Sequence, residues 1–168
     1  MSESKPSKKI LIVSQYFWPE DFRVNELAKG LINEGYTLDI LTGRPNYPSG
    51  KLDNEYKKNP NGFKTFEGAR IFRTFHFLRG NNKFTLTLNY LSFLVSASIY
   101  SLFLTRRKYD AIIAIQLSPI FSVIPAILCK KILKKPLYFW VLDIWPDSIS
   151  SATSITENKI SYKMLKLI

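Results

Sequence analysis

The spacing of apolar residues changes period twice within the first forty positions. In "KILIVS", Ile10–Val13 form an unbroken apolar run, β-branched at Ile10, Ile12 and Val13, as in a strand buried on both faces. From Glu20 the spacing lengthens: Val24, Leu27, Ala28, Leu31 and Ile32 fall on one helical face, and Gly35 is placed to stop the helix. "YTLDIL" (Tyr36–Leu41) then alternates like a strand. Strand, helix and strand in so short a span predict a parallel βαβ unit.

The pattern breaks over "TGRPNYPSGKLDNEYKKNPNGFKTFEG", which is punctuated by Pro45, Pro48, Pro60 and four glycines. Loops of that length are usually functional or disordered. "ARIFRTF" (Ala69–Phe75) reads as a third strand, and "YDAIIAIQ" and "PLYFWVLD" as two more buried ones. A helix from about Pro119 to Leu133 separates those two. Five strands with intervening helices predict an α/β fold, a Rossmann-like doubly wound, mostly parallel sheet. The 168 residues, 46% hydrophobic, suffice for one core, so one domain is expected over 9–168 behind a disordered tail, 1–8. The closing "TENKISYKMLKLI" offers Thr156 as a cap and Ile160, Met164 and Leu167 as an apolar face, with no strand after them. That face lacks a partner, so a piece of a longer chain is expected.

Residues 84–105, "FTLTLNYLSFLVSASIYSLFLT", carry no charge, a length that would permit a membrane span. Eight of the 22 are Ser, Thr or Asn, and Thr85, Asn89, Ser92 and Ser96 form a stripe on one helical face, which argues against a simple lipid-facing span. A core helix, an interfacial helix and a true span all remain open. The preferred reading is a helix packed on the sheet and partly offered to a membrane, with Lys83 and Arg106, Arg107 and Lys108 at headgroup level.

Charge sharpens that picture. Net charge is +11; residues 1–75 hold 12 Lys and Arg against 9 Asp and Glu, and residues 76–168 hold 12 against 4. "RRK" (Arg106–Lys108) and "KKILKK" (Lys130–Lys135, beginning with Lys130 and Lys131) suit an anionic partner such as a lipid surface, or serve as helix-end solubilising charge. No recognition-helix, RNP-like or zinc-finger pattern accompanies them, so nucleic acid is not an expected partner. One cysteine, Cys129, rules out an internal disulfide framework, and "MSESKPSKK" has no signal-peptide core. A cytoplasmic location, peripheral at the inner face of the plasma membrane, is the expectation.

In a doubly wound sheet, ligands bind beyond the carboxyl ends of the strands where strand order reverses, here between the first and fourth predicted strands. The residues so placed are Ser14, Gln15 and Tyr16; Thr42, Gly43 and Arg44; Gln116 and Ser118; and Asp143, Trp145 and Asp147. Amides, carboxylates, Arg and aromatic faces suit a hydroxyl-rich ligand. Asp143, directly after an apolar strand, is either a loop-capping acceptor or a base that orients an incoming hydroxyl; Asp147 reads as a cap or turn residue. His76, the lone histidine, reads as packed or at the surface rather than catalytic. G-x-G-x-x-G, Walker and G-x-S-x-G patterns are absent, as is any Cys/His cluster with metal spacing, so neither a metal nor a dinucleotide cofactor is expected. Between the first strand and helix, "QYFWPE" holds no glycine. Pro19 fits a first helical position, and Tyr16, Phe17 and Trp18 make a stiff apolar wall better suited to sugar rings or a lipid acceptor than to pyrophosphate.

"KILIVSQYFWPEDFRVNELAKGLINEGYTLDILTGRPNYPSG" together with "VLDIWPDS" resembles the N-terminal half of bacterial family-four glycosyltransferases of the GT-B fold. The likeness is to the subgroup that builds capsule, O-antigen and colanic-acid-type polysaccharides, including L-fucosamine transferases. It rests on Gln15, Tyr16, Pro19, Glu20, Arg23 and Asn25; on Gly43, Pro45, Asn46, Tyr47, Pro48 and Gly50; and on Asp143, Trp145, Pro146 and Asp147. The glycine-rich first loop of many relatives is missing, and near "QLSP" (Gln116–Pro119), where relatives often show a second Pro or Ser, this chain has Leu117. The resemblance implies transfer of a sugar from a nucleotide-sugar to a lipid-linked or saccharide acceptor. The N-terminal domain would hold the acceptor through Gln15, Tyr16, Arg44, Asn46, Tyr47, Gln116, Ser118, Trp145 and Asp147, with Asp143 catalytic. A C-terminal domain, or a separate donor-domain chain, would hold the nucleotide. The alternative is a non-catalytic membrane-docking or partner-binding module.

Overall fold

The computed structural model describes residues 7–117 and 120–142. Along the chain run β1 (Lys9–Val13), α1 (Arg23–Asn33), β2 (Thr37–Thr42), α2 (Asn54–Lys58), β3 (Thr65–Phe66), β4 (Ala69–Arg73), α3 (Lys83–Leu104), β5 (Ala111–Gln116), α4 (Ile124–Leu133) and β6 (Leu137–Val141). The sheet order is β3-β4-β2-β1-β5-β6, parallel throughout except for β3, which pairs antiparallel with β4. The fold is therefore α/β and Rossmann-like, as the sequence predicts. β1 pairs with both β2 and β5, so strand order reverses between β1 and β5.

Side chains alternate between the two faces of each strand, and each strand feeds two cores. Leu11, Val13, Leu41, Ile112 and Ala114 meet Phe93 and Ala97 of α3 and Ala126 and Cys129 of α4. Ile10, Ile12, Leu38, Ile40 and Ile115 meet Val24 and Ala28 of α1 on the opposite face. Asp39 shares the α3 face with Leu41 and is fully buried, so its charge needs local partners. It accepts a hydrogen bond from the Tyr109 hydroxyl (2.7 Å) and one from Arg70 Nε (3.0 Å), and Lys9 Nζ lies at 3.1 Å. Burial raises its pKa, but these donors more than offset that and hold the carboxyl below the usual range.

Gly35 ends α1 with φ +86, and the Tyr36 amide returns to the Leu31 carbonyl (3.1 Å), confirming the expected stop. The start of α1 differs from expectation. Pro19 is not its first residue: the helix begins at Arg23, and Pro19–Phe22 form a turn held by Asn25. Asn25 Oδ1 accepts from the Trp18 amide (3.1 Å) and Nδ2 donates to the Glu20 carbonyl (2.7 Å), so this side chain closes the turn ahead of its own helix. The long loop also contains the short strand β3, which the sequence pattern did not suggest. The helix expected from Pro119 starts as α4 only at Ile124, after a 3₁₀ turn over Ile120–Val123, with Pro125 in its first turn where a missing N–H is harmless. β6, expected to be buried, is an edge strand with Tyr138, Phe139 and Val141 exposed.

α3 packs against the sheet through one face, as the core-helix reading expects. Asn82 caps it, its Oδ1 accepting from the Thr85 amide (2.8 Å). Asn89, Phe93, Ala97, Ser101 and Leu104 face inward, while Leu91, Val95, Ile99 and Phe103 face outward. By length and composition the stretch Lys83–Arg107 could cross a membrane, with a mean hydropathy of 1.4, but its inner face is part of the core.

Candidate functional site

Parallel strands deliver their carboxyl ends to one edge of the sheet, which fixes the neighbours there. Ser14 and Gln15 follow β1, Gly43 and Arg44 follow β2, Thr74–Phe77 follow β4, and Gln116 closes β5. The Gln15 carbonyl accepts from the Gly43 amide (3.0 Å) and the Thr42 hydroxyl (3.2 Å), which ties the β1 and β2 exits together. The Gln15 side chain is buried, and its Nε2 donates to Asn89 Oδ1 of α3 (2.8 Å). Its Oε1 has no hydrogen-bond partner among the described residues. Neither has Gln116 Nε2 or Ser122 Oγ, across the β1/β5 crevice. Arg44 Nε and Arg73 Nε are also unpartnered among the described residues. A buried amide or hydroxyl without a partner costs roughly 1–3 kcal/mol, so such atoms are candidate contacts for a polar ligand.

His76 forms the floor beside them. Its Nε2 accepts from the Arg44 amide (2.9 Å), so the ring is neutral with its proton on Nδ1, which donates to the Phe77 carbonyl (2.9 Å). Burial pulls its pKa below the usual histidine value, with the Arg44 guanidinium adding to the effect. This agrees with a packed role rather than a catalytic one. Gly43 is needed for the approach: a Cβ there would lie 2.5 Å from His76 Nε2 and 2.9 Å from the Gln15 carbonyl oxygen.

The predicted aromatic wall is built differently. Phe17 is wholly buried against Phe66 (5.1 Å between centroids) and belongs to the core, and Trp18 turns toward Phe63 (4.8 Å). Only Tyr16 joins the wall, stacked on Phe22 (5.3 Å) and beside Tyr47 (5.4 Å). Arg79 sits over the Tyr47 ring (5.6 Å) and donates to the Tyr90 hydroxyl (3.2 Å). Burial pushes the Tyr16 hydroxyl up to about 12, against the lowering effect of Arg79, so it is a protonated phenol at neutral pH. Behind the wall, Glu20 Oε1 accepts the Asn46 (2.7 Å) and Tyr47 (2.6 Å) amides and shapes their loop. Burial raises the Glu20 pKa, and those backbone bonds oppose the rise.

Gln15, Tyr16, Arg44, Asn46, Tyr47 and Gln116 thus all lie at the carboxyl edge, in different settings. Tyr47 is exposed, and Arg44 packs over Phe75 (4.5 Å). The Asn46 amide is largely engaged within the loop, its Oδ1 accepting from the Arg79 amide (2.9 Å) and its Nδ2 donating to the Arg44 carbonyl (2.8 Å). Ser118, Asp143, Trp145 and Asp147 lie outside the described residues. Lys83 opens α3 at the carboxyl edge, after the β4 exit, whereas Arg106, Arg107, Lys108, Lys130 and Lys131 lie at helix ends on the opposite edge. The sequence pattern did not single out Phe22, Arg79, Tyr90 or Asn89 as site residues; Phe22 closes the β1–α1 turn, and the other three reach the edge from the segment after β4 and from α3. Among the described residues no group of His, Cys, Asp and Glu could hold a metal ion.

No family model and no curated protein matches the sequence. Solved structures do. CalG4, the calicheamicin glycosyltransferase, superimposes with a TM-score of 0.53 at 9% identity over 97% of this chain and 40% of its own. The two share an α/β, Rossmann-like fold. The chain thus spans less than half the length of that enzyme. The C-terminal domain of the PF1911 hydrogenase from Pyrococcus furiosus superimposes equally well, with a TM-score of 0.51 at 17% identity over 83% of this chain and 98% of its own. A glycosyltransferase from Rickettsia africae fits more loosely, with a TM-score of 0.43 at 19% identity over 95% of this chain and 35% of its own, and adds nothing to the argument. At such identities the likeness is one of fold.

Proposed function

We propose that the chain is the acceptor-side domain of a glycosyltransferase of the family-four, surface-polysaccharide type, holding a lipid-linked or saccharide acceptor while a nucleotide-sugar is presented from a second domain. The observation that carries this reading is a set of buried polar atoms without a partner among the described residues, Gln15 Oε1, Gln116 Nε2 and Ser122 Oγ, on segments that leave β1 and β5. An amide acceptor, an amide donor and a hydroxyl match the mixed demands of sugar hydroxyls, and the Tyr16–Phe22–Tyr47 cluster supplies an aromatic flank. A glycine-rich phosphate cradle is missing at the β1–α1 turn, which favours the acceptor over the donor pyrophosphate. Asp143, expected just beyond β6, is the proposed base for the acceptor hydroxyl.

Ligand-detected NMR with candidate saccharides and nucleotide-sugars tests this. Saccharide binding that falls about tenfold or more in Gln116→Leu, with an unchanged unfolding midpoint, supports the reading. Binding of neither ligand class, or saccharide binding that ignores the substitution, overturns the placement of the acceptor.

A further inference from the structure

Arg79 sits where three connections of the carboxyl edge meet. It follows β4, and its amide donates to Asn46 Oδ1 (2.9 Å) in the loop after β2. That loop is itself fixed from the β1–α1 turn, because Glu20 Oε1 accepts the Asn46 and Tyr47 amides. The loop then passes close under Arg79 at Gly50, where a Cβ would collide with the Arg79 carbonyl oxygen. The backbone that carries this guanidinium is thus fastened at its amide and closely packed at its carbonyl.

The side chain is placed as firmly. Arg79 lies over the Tyr47 ring (5.6 Å); its Nη1 donates to the Tyr90 hydroxyl of α3 (3.2 Å) and reaches the Tyr16 hydroxyl after β1 (3.5 Å). Nη1 has two protons, so the two phenols use it completely. Nε and Nη2 have no partner among the described residues and, unlike Arg44 Nε and Arg73 Nε, are not buried. Together they form one edge of the guanidinium, a pair of parallel N–H donors that matches two oxygens of a carboxylate or a phosphate.

The charge around it points the same way. Arg70 and Arg107 share Asp39, Arg73 donates to the Gly43 and Trp18 carbonyls, and Arg44 donates to the His76 carbonyl. Arg79 has neither a carboxylate nor a carbonyl among the described residues; its partners are two phenols and a ring face. Holding so long a side chain in place costs rotamer entropy, and two bonds to neutral phenols return little of it. What the arrangement provides is a preorganised cation with one open edge beside the aromatic flank of Tyr16 and Tyr47.

We propose that Arg79 is a specificity-determining residue of the acceptor site, taking an anionic group of the saccharide, carboxylate or phosphate, on its Nε–Nη2 edge. This rests on the acceptor reading of the crevice and narrows it to anionic saccharides. A sugar ring packed on Tyr16 and Tyr47 carries its charged substituent to the guanidinium.

Ligand-detected NMR with methyl glucoside, methyl glucuronide and glucosyl phosphate tests it, because the three share a ring and differ in the charged group. One of the two anionic probes should bind about tenfold tighter than methyl glucoside, and which one does so identifies the group. Arg79→Gln should remove that preference with an unchanged unfolding midpoint. Arg79→Lys should keep only part of it, because an ammonium has no fork, and Tyr90→Phe, which keeps the ring, should weaken it about threefold. Equal binding of all three probes, or a preference that survives Arg79→Gln, overturns the proposal and leaves a neutral-saccharide acceptor in place. Binding of none overturns the acceptor reading and the proposal with it. A preference for uridine diphosphate glucose over both anionic probes, lost in Arg79→Gln, would give the guanidinium to the donor and overturn the proposal as well.

Discussion

Gln15 at the end of β1 donates a 2.8 Å hydrogen bond to Asn89, a residue 74 positions away in the middle of α3, and both side chains are buried. The Asn89 amide in turn donates to the Phe77 carbonyl (2.6 Å). Removing Asn89 leaves Gln15 Nε2 without this acceptor and weakens the hold on Phe77. Asn89→Ala should therefore cost about 2–3 kcal/mol, read from the urea midpoint. In a double-mutant cycle with Gln15→Ala the losses should be clearly less than additive. Strict additivity would mean that the bond carries no energy.

Gly43 is the tightest point of the site. Gly43→Ala places a methyl carbon 2.5 Å from His76 Nε2 and 2.9 Å from the backbone oxygen of Gln15, and both neighbours are anchored by hydrogen bonds. The substitution should cost about 2 kcal/mol or more, and should shift backbone resonances at the exits of β1 and β4. A variant as stable as the parent would show that His76 moves freely.

Stability should fall as the solution is acidified through the histidine range. The His76 pKa is lowered from 6.5 by burial, so the unfolded chain takes up a proton before the folded one does. Its contribution is complete above about pH 6.5 and is lost as pH falls toward the folded value. Glu20 acts in the opposite sense at lower pH, because its raised pKa lets the folded state take up a proton first. His76→Gln should flatten the dependence of the urea midpoint between about pH 7 and 5.5. An unchanged slope would place the titrating group elsewhere.

Cys129 should be silent in the native protein. Its thiol is buried between α4 and Ser101 of α3, donates to the Ser101 carbonyl (3.5 Å), and is pushed up to about 11 by burial. Reaction with a thiol-specific disulfide reagent should therefore follow unfolding and accelerate with urea. A fast phase in native buffer would contradict the packing of α3 on α4.

The strand order was legible because three facts about β1, β2 and β5 are local: apolar runs, β-branched residues and a helical period between them. From these, adjacency of β1 and β5 follows by topology, and with it the placement of Gln15 and Gln116 at the crevice. The start of α1 was not legible from Pro19, because the Asn25 side chain builds the turn from within the helix. β3 escaped notice because a two-residue strand has no period to detect. The wall was half legible: its position came from Tyr16, but its partners Phe22, Tyr47 and Arg79 come from three different connections that only the tertiary fold brings together. The polar stripe of α3 was legible as a row on one helical face. Its purpose, holding the Phe75–Phe77 segment, needed the tertiary structure.

That stripe couples α3 to the exits of two strands. Ser92, Ser96 and Asn89 fasten the β4 exit, and Asn89 also holds the β1 exit, so α3 cannot lift from the sheet while the crevice stays intact. Amide hydrogen exchange offers a direct view of this: the Phe77 N–H, bonded to a helix side chain rather than to a strand, should exchange through the same opening event as the amides of α3.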